Sequence, residues 1–72
     1  MSNDELNSRI TQVRATLSAI VGADRLNGSF QRAQRHVKDA AMFAKRGATE
    51  AAFEKLFLAE SAALGAQAMV GR

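Results

Sequence analysis

The chain reads as all-α: an N-terminal helix followed by an antiparallel αα-hairpin, together one helical domain spanning residues 1–72. Three observations predict this. Proline, tryptophan and tyrosine are absent, and the alanine-, leucine- and arginine-rich remainder favours helix while giving strands almost nothing. Apolar residues recur at spacings of three and four along each long segment, which is the period of a helix face. Glycine-containing stretches at Gly22 to Ser29 and at Gly47 divide the chain into three such segments.

The first helix is predicted over residues about 4–21. Leu6, Ile10, Val13, Leu17 and Ile20 follow one another at alternating steps of four and three, a narrow seam of the coiled-coil kind. Arg9, Gln12, Arg14 and Ser18 fall elsewhere on its surface. Asn3 or Ser2 is placed to cap its start, and Asp4 and Glu5 suit the positive end of the helix dipole. Gly22 and the run Asp24 to Ser29 end it.

The second helix is predicted over about 30–46, with Ser29 as N-cap, Lys45 and Arg46 at the C-terminal end, and Gly47 in the left-handed position beyond it. Phe30, Ala33, Val37, Ala40, Ala41 and Ala44 make one small-residue face, which lets a neighbouring helix approach closely. The third helix is predicted over about 50–70, capped by Thr49. So short a connection makes the last two helices an antiparallel hairpin.

This third helix is apolar on nearly every side. Phe53, Leu56, Phe57 and Leu64 make a strong stripe, Ala52, Ala59, Ala63, Ala66 and Val70 widen it, and Leu58, Ala62 and Met69 lie on a further side. Glu50, Glu54, Ser61 and Gly65 keep a narrow polar strip. A helix apolar all round belongs inside something, and a 72-residue chain has little material with which to cover it. The expectation is a homo-oligomer or a complex with a protein target, joined through Leu58, Ala62 and Met69, with Arg32, Arg35, Lys38 and Arg46 steering and rimming the contact.

Composition also limits the chemistry. With no cysteine and one histidine, His36, the chain offers neither a disulfide nor a thiolate or histidine-rich metal site, and no cofactor is expected. Glu60 lies inside the strongest apolar arc of the third helix, where a carboxylate is costly unless paired; His36, Arg32 or Arg35 is the expected partner. Catalysis by Glu60 would need a second acid or a nucleophile beside it, and no motif supplies one, so the chain is read as non-enzymatic. The acidic, polar start is not a secretory signal and no apolar run is long enough to span a membrane, which makes the cytoplasm of a bacterium or infected host the expected location.

Charge is uneven. Residues 1–24 carry −1, residues 25–46 carry +5, and residues 47–72 carry −1, giving the net +3. The central block puts Arg35, Lys38, Lys45 and Arg46 on one face of the second helix, with Arg32 at its border. A solvated face or an acidic protein partner is the first reading, and phosphate contact with nucleic acid is a second. The loop from Arg25 to Ser29 enters a helix N-terminus, where Arg25, Ser29 and Arg32 are candidates to hold an anion such as a small phosphorylated ligand.

Two resemblances bear on these expectations. Ala40, Phe43, Gly47, Ala52, Phe53, Leu56 and Ala59 have the spacing of a single tetratricopeptide-type hairpin, with His36 and Asp39 standing where that repeat places apolar residues; the likeness implies shared hairpin packing. The segment Glu50 to Ala59, followed by Ala62, Ala63, Ala66 and Ala68, is similar to the closing helix of small phage-encoded helical-hairpin proteins. These include sponges that sequester cyclic oligonucleotide signals in anti-CBASS defence, and inhibitors of host regulators. That resemblance implies a short, oligomeric, non-enzymatic inhibitor or adaptor of anti-defence or host-takeover type, with a cyclic-nucleotide sponge as the alternative.

Overall fold

The computed structural model describes residues 3–70. It contains α1 (Asn3–Ser18), a short 3-10 turn (Gly22–Leu26), α2 (Gly28–Lys45) and α3 (Thr49–Met69), and no strand among the described residues. α2 and α3 form the antiparallel hairpin: the start of α2 meets the end of α3, where a β-carbon added at Gly65 would sit 3.3 Å from the Ser29 hydroxyl. α1 lies across both and runs alongside α3, with Arg9 beside Glu60 and Thr16 beside Gln67.

The predicted seam of α1 is buried in full: Leu6, Ile10, Val13, Leu17 and Ile20 all enter the core. The helix itself stops earlier than residue 21. Ala19 closes the last α-type bond to Ala15, the Ile20 amide bonds the Leu17 carbonyl at 3.1 Å, and Gly22 takes a positive φ of 65°. The tightened turn swings Ile20 back into the core although it lies beyond the helix. Asn3 is the first residue of α1 rather than its cap, and Ser2 lies outside the described residues.

α2 begins two residues before the predicted start because Asn27, not Ser29, is its cap. The Asn27 side-chain oxygen accepts the Phe30 amide at 2.7 Å, and its amide group donates to the Asp24 carbonyl at 2.6 Å, so one side chain joins the 3-10 turn to the helix. At the other end Gly47, with φ 78°, closes a Schellman motif: Ala48 donates to Phe43 and Gly47 to Ala44. Ala48 is the N-cap of α3 and makes no side-chain capping bond, so Thr49 is the first helical residue and not a cap.

The hairpin packs small residues on small residues. Ala33 and Ala40 of α2 and Ala52, Ala59, Ala63 and Ala66 of α3 are buried, with Phe30, Val37 and Leu56 as the larger side chains between them. The inward line of α3 therefore runs Ala52, Leu56, Ala59, Ala63 and Ala66, not through Phe57 and Leu64 as the sequence suggests. Close approach of two alanine-lined helices leaves no space for those larger side chains, which are turned out and are 64% and 68% exposed. The whole is a rod of 39 × 17 × 15 Å. It exposes 4800 Å², against roughly 4300 Å² for a compact protein of 7.7 kDa.

Candidate functional site: two outward surfaces and a buttressed ion pair

Glu60 is paired, but with α1. Arg9 donates through Nε to Oε2 at 3.0 Å and through Nη2 to Oε1 at 2.6 Å, a bidentate fork, and its guanidinium carbon lies 5.7 Å from the Phe53 ring centre. The bond to Glu60 raises the Arg9 pKa above its ordinary value, so the arginine stays charged throughout the accessible pH range. His36, Arg32 and Arg35 do not fill the expected role: Glu60 faces α1 across the bundle, while those three belong to α2. His36 Nδ1 is buried without a hydrogen-bond partner. The Arg9–Glu60 fork satisfies its own charges, and its geometry ties α1 to α3 instead of presenting a reactive carboxylate. Sequence reasoning placed Arg9 on the surface. The available signal was complementarity: a cation bordering the α1 seam and a lone acid within the apolar arc of α3.

The first outward surface belongs to α3. Leu58 is 43% and Met69 51% exposed; eleven residues apart, they lie on one line along the helix. Ala62, of the same predicted set, is half-buried. Phe57 and Leu64, seven apart, form a second exposed line, Leu64 at the lip of a 310 Å³ hollow between α1 and α3. Val21, Leu26 and Val70 extend the exposed apolar surface at the end of the rod where α3 finishes.

The second surface is a cleft of about 650 Å³ bounded by α1, the 3-10 turn and α2. Arg14 enters from α1, Arg25 from the turn, and Arg35 and Lys38 from α2, with Gln31 and Gln34 between them. Arg25 is fixed in place: Nε donates to the Ile20 carbonyl at 2.8 Å, and the guanidinium carbon sits 5.7 Å from the centre of the Phe30 ring. The structure thus divides the predicted cations. Arg35 and Lys38 line the cleft, whereas Arg32 and Arg46 do not. Arg25, Ser29 and Arg32 are divided too, because Arg25 joins the cleft while Arg32 Nη2 donates to the Ser29 hydroxyl at 3.2 Å on the part of α2 that meets Gly65.

Among the described residues, no three of histidine, cysteine, aspartate and glutamate gather closely enough to hold a metal ion, and no helix is long and apolar enough to cross a membrane. In comparisons with protein-family models, curated proteins and solved structures, nothing matches this chain.

Proposed function

We propose that this chain is a non-enzymatic interaction module that engages a protein partner through the outward side of α3, acting in the cytoplasm as an inhibitor or adaptor. The observation that carries the reading is the exposure of Phe57, Leu58, Leu64 and Met69 on one helix of a bundle too thin to cover them. Covering side chains that are about half to two-thirds exposed is worth roughly 1–2 kcal/mol each. Four of them therefore offset only part of the cost of association. A partner must add polar contacts at the rim, for which exposed Arg32 and Arg46 supply donors and long-range steering. The resemblance of the C-terminal helix to small phage proteins supports an inhibitor of a host or defence component.

The test compares wild type with Phe57→Glu and Leu58→Glu by affinity capture from the native host and by intact mass of the purified complex. Wild type should be recovered in a complex of fixed stoichiometry, whether with a target or with further copies of itself. Both variants should lose it while keeping their helicity. A monomer that captures nothing, or equal recovery by all three proteins, overturns the reading.

A further inference from the structure

We infer that the cleft between α1 and α2 is a binding site for single-stranded nucleic acid, read through its phosphates and without strong sequence preference. It is a different surface from that of α3, and the two readings stand or fall separately.

Arg14, Arg25, Arg35 and Lys38 converge on this cleft from three elements, and no carboxylate among the described residues lines it. Asp39 borders the adjoining hollow, which shares Arg14 and Lys38. The Arg9–Glu60 ion pair lies elsewhere. Four like charges on a concave wall focus a positive potential that an anion relieves. Arg25, already held by the Ile20 carbonyl and the Phe30 ring, presents its remaining donors with little further loss of freedom.

The chemistry of the wall selects the class of ligand. An acidic protein would need apolar anchors beside the charges, yet the apolar floor of the cleft, Leu17, Phe30 and Val37, is almost fully buried and offers none. A phosphodiester strand needs only cations and hydrogen-bonding groups. Three of the four cations are arginines, whose planar forks match phosphate oxygens and stack on base faces, and the amides of Gln31 and Gln34 can exchange hydrogen bonds with base edges. From Gln31 to Lys38 the wall runs about 10 Å along α2, and its four cations set the ceiling on the phosphates it can neutralise at about four. A recessed wall admits a flexible single strand more readily than the broad convex face of a duplex. The aromatic of the cleft, Phe30, is buried and offers no face for stacking, so the affinity is set by charge and falls in the micromolar range typical of non-specific contacts.

Anisotropy of a labelled oligothymidylate and oligouridylate of about 12 nucleotides, measured from about 25 to 150 mM salt, tests this directly. Neutralising three to four phosphates predicts a slope of log K against log salt of roughly −2 to −3. The double variant Arg35→Glu/Lys38→Glu, at two exposed positions, should lose at least about tenfold in affinity, whereas Arg46→Glu, an exposed cation outside the cleft, should lose no more than about threefold. Equal loss in both variants, no binding at the lowest salt, or tighter binding of duplex than of single strand overturns the inference. So does displacement by polyglutamate as effective as by unlabelled strand, which identifies an acidic protein ligand, or by inorganic phosphate or a mononucleotide alone, which identifies a small one.

Discussion

α2 and α3 are helices of 18 and 21 residues that face each other through the same kind of small-residue line, yet they turn opposite chemistry outward. Beyond its buried line of Phe30, Ala33, Val37 and Ala40, α2 exposes Arg32, Arg35, Lys38 and Lys45, with Arg46 exposed at its C-cap. α3 exposes Phe57, Leu58, Leu64 and Met69. Amphipathicity fixes how α2 must lie, because rotating it would bury cations. α3 has no such penalty from its apolar residues, so its orientation is decided by which of them are small enough to approach a neighbour. What the pair teaches is that the inward line needs only fit, while the outward line sets the chemistry that the surface presents.

The comparison breaks most sharply inside α3 itself. Leu56 is fully buried and its neighbour Phe57 is 64% exposed. Leu56→Ala should cost about 3 kcal/mol through the cavity it leaves, a fall of roughly 12–24 °C in melting temperature for a domain of this size. Phe57→Ala should stay within about 0.5 kcal/mol. Calorimetry or thermal circular dichroism distinguishes the two, and similar losses would mean that the inward line of α3 has been misplaced. In the middle of the scale lies the tie between α1 and α3. Arg9→Ala or Glu60→Ala should each cost about 1 kcal/mol, and the double variant should cost less than the sum, a coupling of about 0.5 kcal/mol or more in a double-mutant cycle.

The smallest effects separate the two helix starts. Asn27→Ala removes the side-chain cap of α2 and should cost about 1 kcal/mol. Thr49→Ala removes no cap from α3 and should change stability by no more than a few tenths of a kcal/mol, within about the scatter of surface substitutions. Ala48→Ser, which places a capping hydroxyl where none exists, should stabilise by about 0.5 kcal/mol. Denaturant titration resolves all three, and equal sensitivity at residues 27 and 49 would contradict the caps described above.

Much of the fold is legible in the residue pattern. The alternating steps from Leu6 to Ile20 identified a seam that is buried residue for residue, and Gly47 marked the left-handed turn that reverses the chain. Phe30, Ala33, Val37 and Ala40 were likewise legible, because the arginines and lysines on the far side of α2 leave one face to bury. The cap of α2 was less so: Asn27 and Ser29 are both good capping residues, and the choice fell to Asn27 because its amide also reaches Asp24.

The outward surfaces were legible as candidates and not as arrangements. Leu58 and Met69 lie exposed as expected, but Phe57 and Leu64 join them, since periodicity alone ranks apolar side chains by size and frequency and cannot say that the gap between two alanine-lined helices is too narrow for a phenylalanine. Arg35 and Lys38 stood out as members of a stripe on α2. Their company in the cleft, Arg14 and Arg25, comes from 21 and 10 residues earlier in the chain, and only the packing of α1 against α2 places them together.

Sequence alone determined that this protein is helical, that the chain breaks around Gly22 to Ser29 and at Gly47, and which side of α1 and α2 goes inward, because those depend on propensity and a polar–apolar contrast within each segment. The tertiary structure decided which line of α3 is core, that Glu60 pairs with Arg9, and that four cations share one wall. Each of these depends on distances between residues far apart in the chain, and local periodicity contains no information about them.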